Sequence, residues 1–201
     1  MIFDYSPLLR PYLKELEFAA NAGPILDLAC GSGRNGLYLI ENNIPVVFAD
    51  VRPEALAQVQ ATLEEKGLEL EGQLASSWQV DLELTGVNPF DDRLFGGILV
   101  YNYLHRPLMQ NLKRAVLPGG LVFYETFTTE QVKFGRPSNP DFLLRPGELR
   151  DCFKQWQVLH DFEGVVENES GSGARAIAQL VAKKPADTML HCGGRNKSTR
   201  T

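Results

Sequence analysis

The sequence has few cysteines, no long apolar run and no excess of positive charge, and each shortage excludes a class of protein. Its three cysteines, Cys30, Cys152 and Cys192, are widely spaced, which indicates neither a disulfide framework nor a zinc site. No apolar run approaches the roughly 20 residues that a membrane-spanning helix requires. A net charge of −5 argues against an extended nucleic-acid interface.

The first residues also lack the basic region and the apolar segment of a secretion signal. We therefore expect a cytoplasmic protein that binds no membrane, no nucleic acid and no metal. With 201 residues, 44% of them hydrophobic, the chain can bury one full core. We expect residues 1–183 to form a single domain, as a monomer or a homodimer, and the polar residues 184–201 to form a disordered tail.

The most informative stretch is Pro24–Asp50, which contains two apolar runs separated by a glycine turn and a helical pattern. The first run, Ile25–Ala29, is interrupted only by Asp27, as is typical of a buried parallel strand. Gly31 and Gly33 lie in the turn that follows, where the backbone must pass close to another group without a Cβ atom between them. The stretch therefore predicts strand, glycine turn, helix and strand, which is half of a nucleotide-binding α/β unit.

The rest of the chain alternates between helical and strand patterns. Predicted helices cover Pro7–Ala20, Pro53–Lys66 and Arg106–Leu117, and further strands cover Ser77–Val80, Phe95–Tyr101, Leu121–Tyr124, Trp156–Val166 and Ala174–Ala182. This alternation predicts a mainly parallel sheet with right-handed crossovers. Polar residues stand where its first five strands end, at Asp27, Asp50, Asp81, Asn102 and Glu125. Because such sheets bind ligands outside the carboxyl ends of their strands, we expect these side chains to line one cleft.

Together these features resemble the class I S-adenosylmethionine-dependent methyltransferases. Leu26-Asp-Leu-Ala-Cys-Gly-Ser-Gly is similar to the first motif of that family, with Ala29 in place of the first of its three glycines. Asp50 matches the acid that ends the second strand, and Asp81 with Leu82 matches the acidic and apolar pair after the third. The stretch that begins at Asp141, Asp-Phe-Leu-Leu-Arg-Pro-Gly-Glu-Leu, is similar to the small tellurite-resistance-type methyltransferases.

The resemblance implies a Rossmann-like, doubly wound sheet of seven mainly parallel strands, with a C-terminal antiparallel hairpin and helices on both faces. It also implies S-adenosylmethionine as the cofactor. Ala29, Gly31 and Gly33 would let the turn pass beneath the methionine part of that cofactor, and Asp27 would lie near the same end.

The resemblance further implies how the nucleoside would be held. Asp50 would accept hydrogen bonds from both ribose hydroxyls, and Asp81 from the adenine amino group, while Val51 and Leu82 would flank the adenine. The chemistry agrees, because a carboxylate offers two acceptor oxygens and no donor, as a diol or an amine requires. An acidic cleft also suits the positively charged sulfonium of the cofactor.

Asn102, Tyr103 and His105 follow the fourth strand, where this fold class places the methyl acceptor, and they are the candidate catalytic residues. His105 would be a general base if one is used, although it would equally well be a histidine bound by backbone at the entry of a helix. The Asn/Asp-Pro-Pro-Tyr signature of amino-group methyltransferases is absent here, which disfavours that subfamily. We expect in-line methyl transfer to a small molecule or a simple anion.

Two alternatives remain open at this stage. Gly31-Ser-Gly-Arg-Asn-Gly36 matches the dinucleotide pattern, and Asp50 stands 19 residues after Gly31, as in an NAD-dependent oxidoreductase. Asp27 and Asp81 oppose that reading, because added carboxylates near a pyrophosphate are electrostatically unfavourable. The other alternative is a catalytically inactive regulator that binds S-adenosylmethionine.

Overall fold

A computed structural model describes residues 5–68, 73–167 and 173–186. The strands of its sheet are β1 (Ile25–Leu28), β2 (Val46–Asp50), β3 (Ala75–Gln79), β4 (Phe95–Tyr101), β5 (Val116–Phe127), β6 (Gln157–Glu167) and β7 (Ala174–Lys183). The strand order is β3-β2-β1-β4-β5-β7-β6. The first five strands pair in parallel, and β7 runs antiparallel to both β5 and β6. The predicted seven-stranded, mainly parallel sheet with a C-terminal antiparallel hairpin is therefore confirmed.

The helices also follow the predicted order, with shorter ends. They are α1 (Leu13–Ala20), α2 (Arg34–Glu41), α3 (Pro53–Glu65), α4 (Met109–Ala115) and α5 (Glu148–Cys152). The helix expected from Pro7 begins as a 3₁₀ helix, Pro7–Tyr12, which contains Pro11, a residue without a backbone N–H. The helix expected to reach Leu117 ends at Ala115, because Val116 already has an extended backbone and begins β5.

Both faces of the sheet carry apolar packing, as a doubly wound sheet requires. Leu16 of α1, Leu39 of α2 and Val59 of α3 belong to one buried cluster. Leu112 of α4 and Leu149 of α5 belong to a second cluster. Every residue of β1 and β4 is buried, as in the central strands of a parallel sheet covered on both sides.

Parts of the predicted organisation lie outside the described residues. These are 168–172, which belong to the predicted turn Asn168–Gly173, and 187–201, which make up most of the predicted tail. Directly after β7, the Nζ atom of Lys184 donates to the carbonyl oxygen of Lys113 at 3.0 Å. The division into a domain of residues 1–183 and a tail of 184–201 stays a prediction. Within the ranges described, no helix has the length and apolar character to cross a membrane.

Candidate functional site

The turn between β1 and α2 has a left-handed backbone at three of the predicted positions. The φ angles are +51° at Ala29, +56° at Gly31 and +72° at Gly33. This conformation favours glycine, so Ala29 carries a backbone strain that a glycine would avoid. A Cβ atom added at Gly33 would lie 2.6 Å from the Cγ2 atom of Val59, so only glycine fits there. Gly33 thus leaves room for Val59 and Phe48 in the core, whereas Gly31 is the glycine of the turn that lines the cleft.

Asp27 lies within β1 and is only 3% exposed. Its Oδ2 atom accepts a hydrogen bond of 2.9 Å from the backbone N–H of Gly36 in α2. Burial raises the pKa of this carboxyl to about 7, despite the opposing effect of that hydrogen bond. The Asp27 carboxyl therefore changes between its protonated and its ionised form near neutral pH. Its ionised form would attract a positively charged ligand group.

Asp50 ends the neighbouring parallel strand and is 4% exposed. Its Oδ2 atom accepts a 2.9 Å hydrogen bond from the N–H of Gly31, and its Oδ1 atom accepts one of 3.0 Å from the N–H of Arg52. Burial raises the pKa of Asp50, but the hydrogen bonds from Arg52 and Gly31 outweigh it and hold the pKa below its ordinary value. Asp50 is thus an ionised acceptor directly beside the glycine turn.

The residues expected at the adenine lie at the ends of β2 and β3, which pair in parallel. Val51 follows β2 and exposes its side chain. Asp81 is exposed, and its Oδ1 atom accepts a 2.9 Å hydrogen bond from the N–H of Glu83. Leu82 is buried against the core and also lines a cavity of about 410 Å³. The three residues thus lie at one edge of the sheet, where the N–H of Val80 donates to the carbonyl oxygen of Asp50 at 3.1 Å, but neither Val51 nor Asp81 lines the cavity that Leu82 lines.

A second cavity, of about 250 Å³, lies at the carboxyl ends of β1 and β4. The site residues that line it are Asp27, Ala29, Gly31 and Asn102, together with Arg34, Asn35 and Tyr101. In the strand order, β1 lies between β2 and β4, so this is the point at which the sheet reverses its winding direction. We call this space the β1–β4 cavity.

The three candidate catalytic residues do not share one cavity. Asn102 lines the β1–β4 cavity, has a left-handed φ of +54° and donates its N–H to the carbonyl oxygen of Glu125 at 2.8 Å. His105 instead lines the cavity of about 410 Å³ together with Leu82. Tyr103 packs against the core, and its carbonyl oxygen accepts a 3.1 Å hydrogen bond from the Tyr124 hydroxyl. Of these three residues, only Asn102 therefore lines the same cavity as Asp27.

Sequence reasoning missed several polar residues that surround the site. Asn35, in the first turn of α2, is buried, and its Oδ1 atom accepts a 2.8 Å hydrogen bond from the N–H of Ser6. Tyr101 was predicted only as the last residue of the fourth strand, Phe95–Tyr101, and no role in the site was expected for it. Arg34 was considered only as part of a glycine pattern. The one signal in the sequence that could have identified site residues was the polar character of Arg34 and Asn35, directly after the turn.

Among the described residues, no group of three or more His, Cys, Asp or Glu side chains is arranged to hold a metal ion.

Comparison with known proteins gives a family and a fold. The family model described as "Tellurite resistance protein TehB" matches residues 15–177. A curated relative from Haemophilus influenzae, "Probable S-adenosyl-L-methionine-dependent methyltransferase TehB", is 25% identical over 170 residues, which are 80% of this chain. The matched part is 57% of that protein, so the chain spans little more than half the length of this relative.

Solved structures show the same fold. The crystal structure of TehB from Haemophilus influenzae has a TM-score of 0.65 at 23% identity, covering 85% of this chain and 61% of that one. A structure of a SAM-dependent methyltransferase from Methanosarcina mazei also has a TM-score of 0.65, at 16% identity, covering 90% of this chain and 99% of that one. The sheet described above is thus shared with class I methyltransferases.

Proposed function

The chain belongs to the family of the tellurite resistance protein TehB, and we propose that it is an S-adenosylmethionine-dependent methyltransferase. The observation that carries the proposal is the pair of Asp27 and Asp50, two buried carboxylates on adjacent parallel strands. They flank a turn whose backbone is left-handed at Ala29, Gly31 and Gly33. The relative from Haemophilus influenzae, described as a probable methyltransferase of this kind, supports the same activity.

The charges of the β1–β4 cavity fit the methionine end of the cofactor. Asp27 and Arg34 are the acidic and the basic residue among those that line it. An amino-acid group carries one ammonium and one carboxylate, so Asp27 would hold the first and Arg34 the second. The Asp50 carboxylate would accept hydrogen bonds from the ribose hydroxyls.

The adenine would then lie at the neighbouring strand ends. Val51 and Leu82 would flank the ring, and the Asp81 carboxylate would accept a hydrogen bond from its amino group. When bound, the cofactor supplies an activated methyl carbon. The task of this chain is to hold a nucleophile in line with that carbon and to exclude water.

We propose a small molecule or a simple anion as the methyl acceptor. The support is the size of the β1–β4 cavity, about 250 Å³, which the acceptor would share with part of the cofactor. Asn102 lines this cavity and would contact the acceptor. The roles of Tyr103 and His105 stay predictions, because both side chains lie elsewhere.

The oxidoreductase alternative fits the turn less well. In a dinucleotide site, the backbone N–H groups of the glycine turn point at the pyrophosphate. Here the N–H of Gly31 donates to the ionised carboxylate of Asp50, and Asp27 lies buried beneath the turn. A pyrophosphate in this position would meet two acidic groups.

Two measurements test the proposed function. The first is calorimetric titration with S-adenosylhomocysteine and, separately, with NADH. We expect S-adenosylhomocysteine to bind and NADH not to bind. The second follows a labelled methyl group from S-adenosylmethionine to a panel of small molecules and inorganic oxyanions. Binding of NADH alone would identify an oxidoreductase, and binding of S-adenosylhomocysteine without any transfer would favour the inactive regulator.

A further inference from the structure

Ser6 stands directly before the 3₁₀ helix Pro7–Tyr12 and contacts a residue that lines the β1–β4 cavity. It is 2% exposed, and its backbone N–H donates a 2.8 Å hydrogen bond to the Oδ1 atom of Asn35 in α2. Its hydroxyl also donates a long hydrogen bond of 3.5 Å to the Oε2 atom of Glu125, at the carboxyl end of the sheet. Ser6 thus presents a buried backbone donor to the first turn of α2.

This contact decides which way the amide of Asn35 faces. An asparagine side chain has one acceptor oxygen and an amino group with two donors. A backbone N–H can only donate, so the oxygen faces Ser6 and the amino group, Nδ2, faces away from it. Asn35 is 3% exposed and lines the β1–β4 cavity. Nδ2 is therefore the part of this amide that is left for a ligand in the cavity.

Asn35 also stands next to the residue that holds Asp27. That residue, Gly36, donates its N–H to the Oδ2 atom of Asp27 at 2.9 Å. In the proposed function, Asp27 would hold the ammonium of the amino-acid group of the cofactor. The ammonium and the carboxylate of an amino acid are attached to the same carbon atom, so their partners on the protein must lie close together. Asn35 meets this condition and offers a donor, which a carboxylate can accept and an ammonium cannot.

We infer that Asn35 binds the carboxylate of S-adenosylmethionine through Nδ2 and that Ser6 is the positioning residue that orients it. The inference rests on the proposed methyltransferase function, and it adds a neutral donor to the positive charge of Arg34. A hydrogen bond to an ionised acceptor is about twice as strong as one between neutral groups. Ser6, well ahead of β1 in the sequence, thus contributes to the cofactor site without touching the cofactor.

Calorimetry with two ligands at about pH 8 tests the contact of Asn35. The ligands are S-adenosylhomocysteine and its decarboxylated analogue, which keeps the nucleoside and the ammonium. Asn35→Asp keeps an oxygen for the N–H of Ser6 but has no Nδ2 donor, and Asn35→Ala removes the whole amide. In both variants the Kd for S-adenosylhomocysteine should rise at least about tenfold more than the Kd for the analogue, because only the first ligand has a carboxylate.

Three results would overturn the inference. They are equal changes in Kd for the two ligands, no change for either ligand, and a wild type that binds both ligands equally well. In the first case Asn35 would hold only the fold, and in the others it would not bind the carboxylate. Wild-type protein that binds neither ligand would instead contradict the proposed function.

Two substitutions at Ser6 separate the effect of its N–H from that of its hydroxyl. Ser6→Pro removes the N–H, and the φ of −67° at this position suits a proline ring. Ser6→Ala is the matched control, because it loses the hydroxyl and keeps the N–H. Ser6→Pro should raise the Kd for S-adenosylhomocysteine about three- to tenfold, whereas Ser6→Ala should change it less than about twofold.

The decarboxylated analogue distinguishes positioning by Ser6 from a general effect on the fold. Its Kd should stay within about twofold of the wild-type value in both Ser6 variants, because it lacks the group that Asn35 binds. A loss in Ser6→Pro that is equal for the two ligands, an equal loss in Ser6→Ala, or no loss in Ser6→Pro would each contradict the positioning role.

Discussion

The guanidinium of Arg52 contacts both carboxylate oxygens of Asp50. Its Nε atom lies 3.1 Å from Oδ1, and its Nη2 atom lies 3.3 Å from Oδ2. The carboxylate is buried, whereas the Arg52 side chain is 63% exposed. Because ribose hydroxyls would need the same two oxygens, pairing with Arg52 and binding of a nucleoside compete for Asp50.

This competition predicts that Arg52→Ala binds S-adenosylhomocysteine more tightly than the wild type does. An exposed ion pair is worth about 0.2–1 kcal/mol, so we expect the Kd to fall by about 1.4- to 5-fold. Arg52→Lys keeps the charge but not the bidentate contact with Asp50, so its Kd should lie between those of the wild type and Arg52→Ala. Calorimetry measures all three values. Weaker binding by Arg52→Ala would show that Arg52 contacts the ligand rather than competing with it.

The buried carboxyl of Asp27 predicts a component of stability that declines with rising pH. Its pKa is about 7 in the folded protein, against an ordinary value of 3.8. The folded state therefore keeps a proton that the unfolded state releases, and the free energy of unfolding falls between these two pH values. Asp27→Asn retains an oxygen acceptor for the N–H of Gly36 and should lack this component. Denaturant unfolding of both proteins at about pH 5 and about pH 8 measures it, and parallel pH profiles would contradict the assignment.

The same carboxyl predicts that ligand affinity changes in the opposite direction. In the proposed site only ionised Asp27 would attract the ammonium of S-adenosylhomocysteine, so the affinity of the wild type should increase as the pH rises through about 7. Asp27→Asn should bind more weakly, with little dependence on pH over that range. Calorimetric titrations across the range check this, and equal pH dependence in both proteins would place the ammonium elsewhere.

The order and type of the elements could be predicted because the apolar runs are short and end at polar residues. The bounds of β4, Phe95–Tyr101, were predicted without error, since the run is continuous and begins just after a turn. The start of β5 was missed, because Pro118 and Gly119 ordinarily break a strand. Here they lie at an irregularity in the pairing of β4 with β5.

The site was predictable only where it depends on position along a strand. Asp27 and Asp50 could be placed because each stands in or at the end of an apolar run. Contacts between residues that are far apart in the sequence leave no comparable pattern of apolar and polar residues. The ion pair of Arg106 with Glu148, for example, joins two residues that are 42 positions apart in the sequence.

That ion pair holds the segment after β5 against the corner after β4. Arg106 Nε and Nη2 donate to the two carboxylate oxygens of Glu148 at 2.6 and 2.9 Å, and Nη2 also donates to the carbonyl oxygen of Leu143 at 2.7 Å. The hydrogen bond from Arg106 is the largest influence that lowers the pKa of Glu148, to about 2. The stabilisation is therefore present above the ordinary pKa of 4.5 and is lost as the pH falls towards 2.

Glu148→Gln should accordingly lower the free energy of unfolding by about 1.5–3 kcal/mol at neutral pH, the contribution of hydrogen bonds to a charged group. The difference from the wild type should shrink as the solution is acidified below the ordinary pKa of a glutamate. Glu130→Gln is the matched control, because Glu130 pairs with Lys133 on the surface, and it should change the free energy by about 0.5 kcal/mol or less. Equal effects of the two variants in denaturant unfolding would contradict the anchoring role of Arg106.

The most direct test of the whole account is the Kd of Asp50→Asn for S-adenosylhomocysteine. Asparagine keeps one oxygen for the N–H of Gly31 but offers a donor where the ribose needs an acceptor, so we expect binding at least about tenfold weaker. Asp92→Asn, at an exposed turn, is the control and should bind as the wild type does. Calorimetry on variants of matched Tm gives the answer. An unchanged Kd in Asp50→Asn would contradict the assignment of this strand-end carboxylate to the nucleoside of the methyl donor.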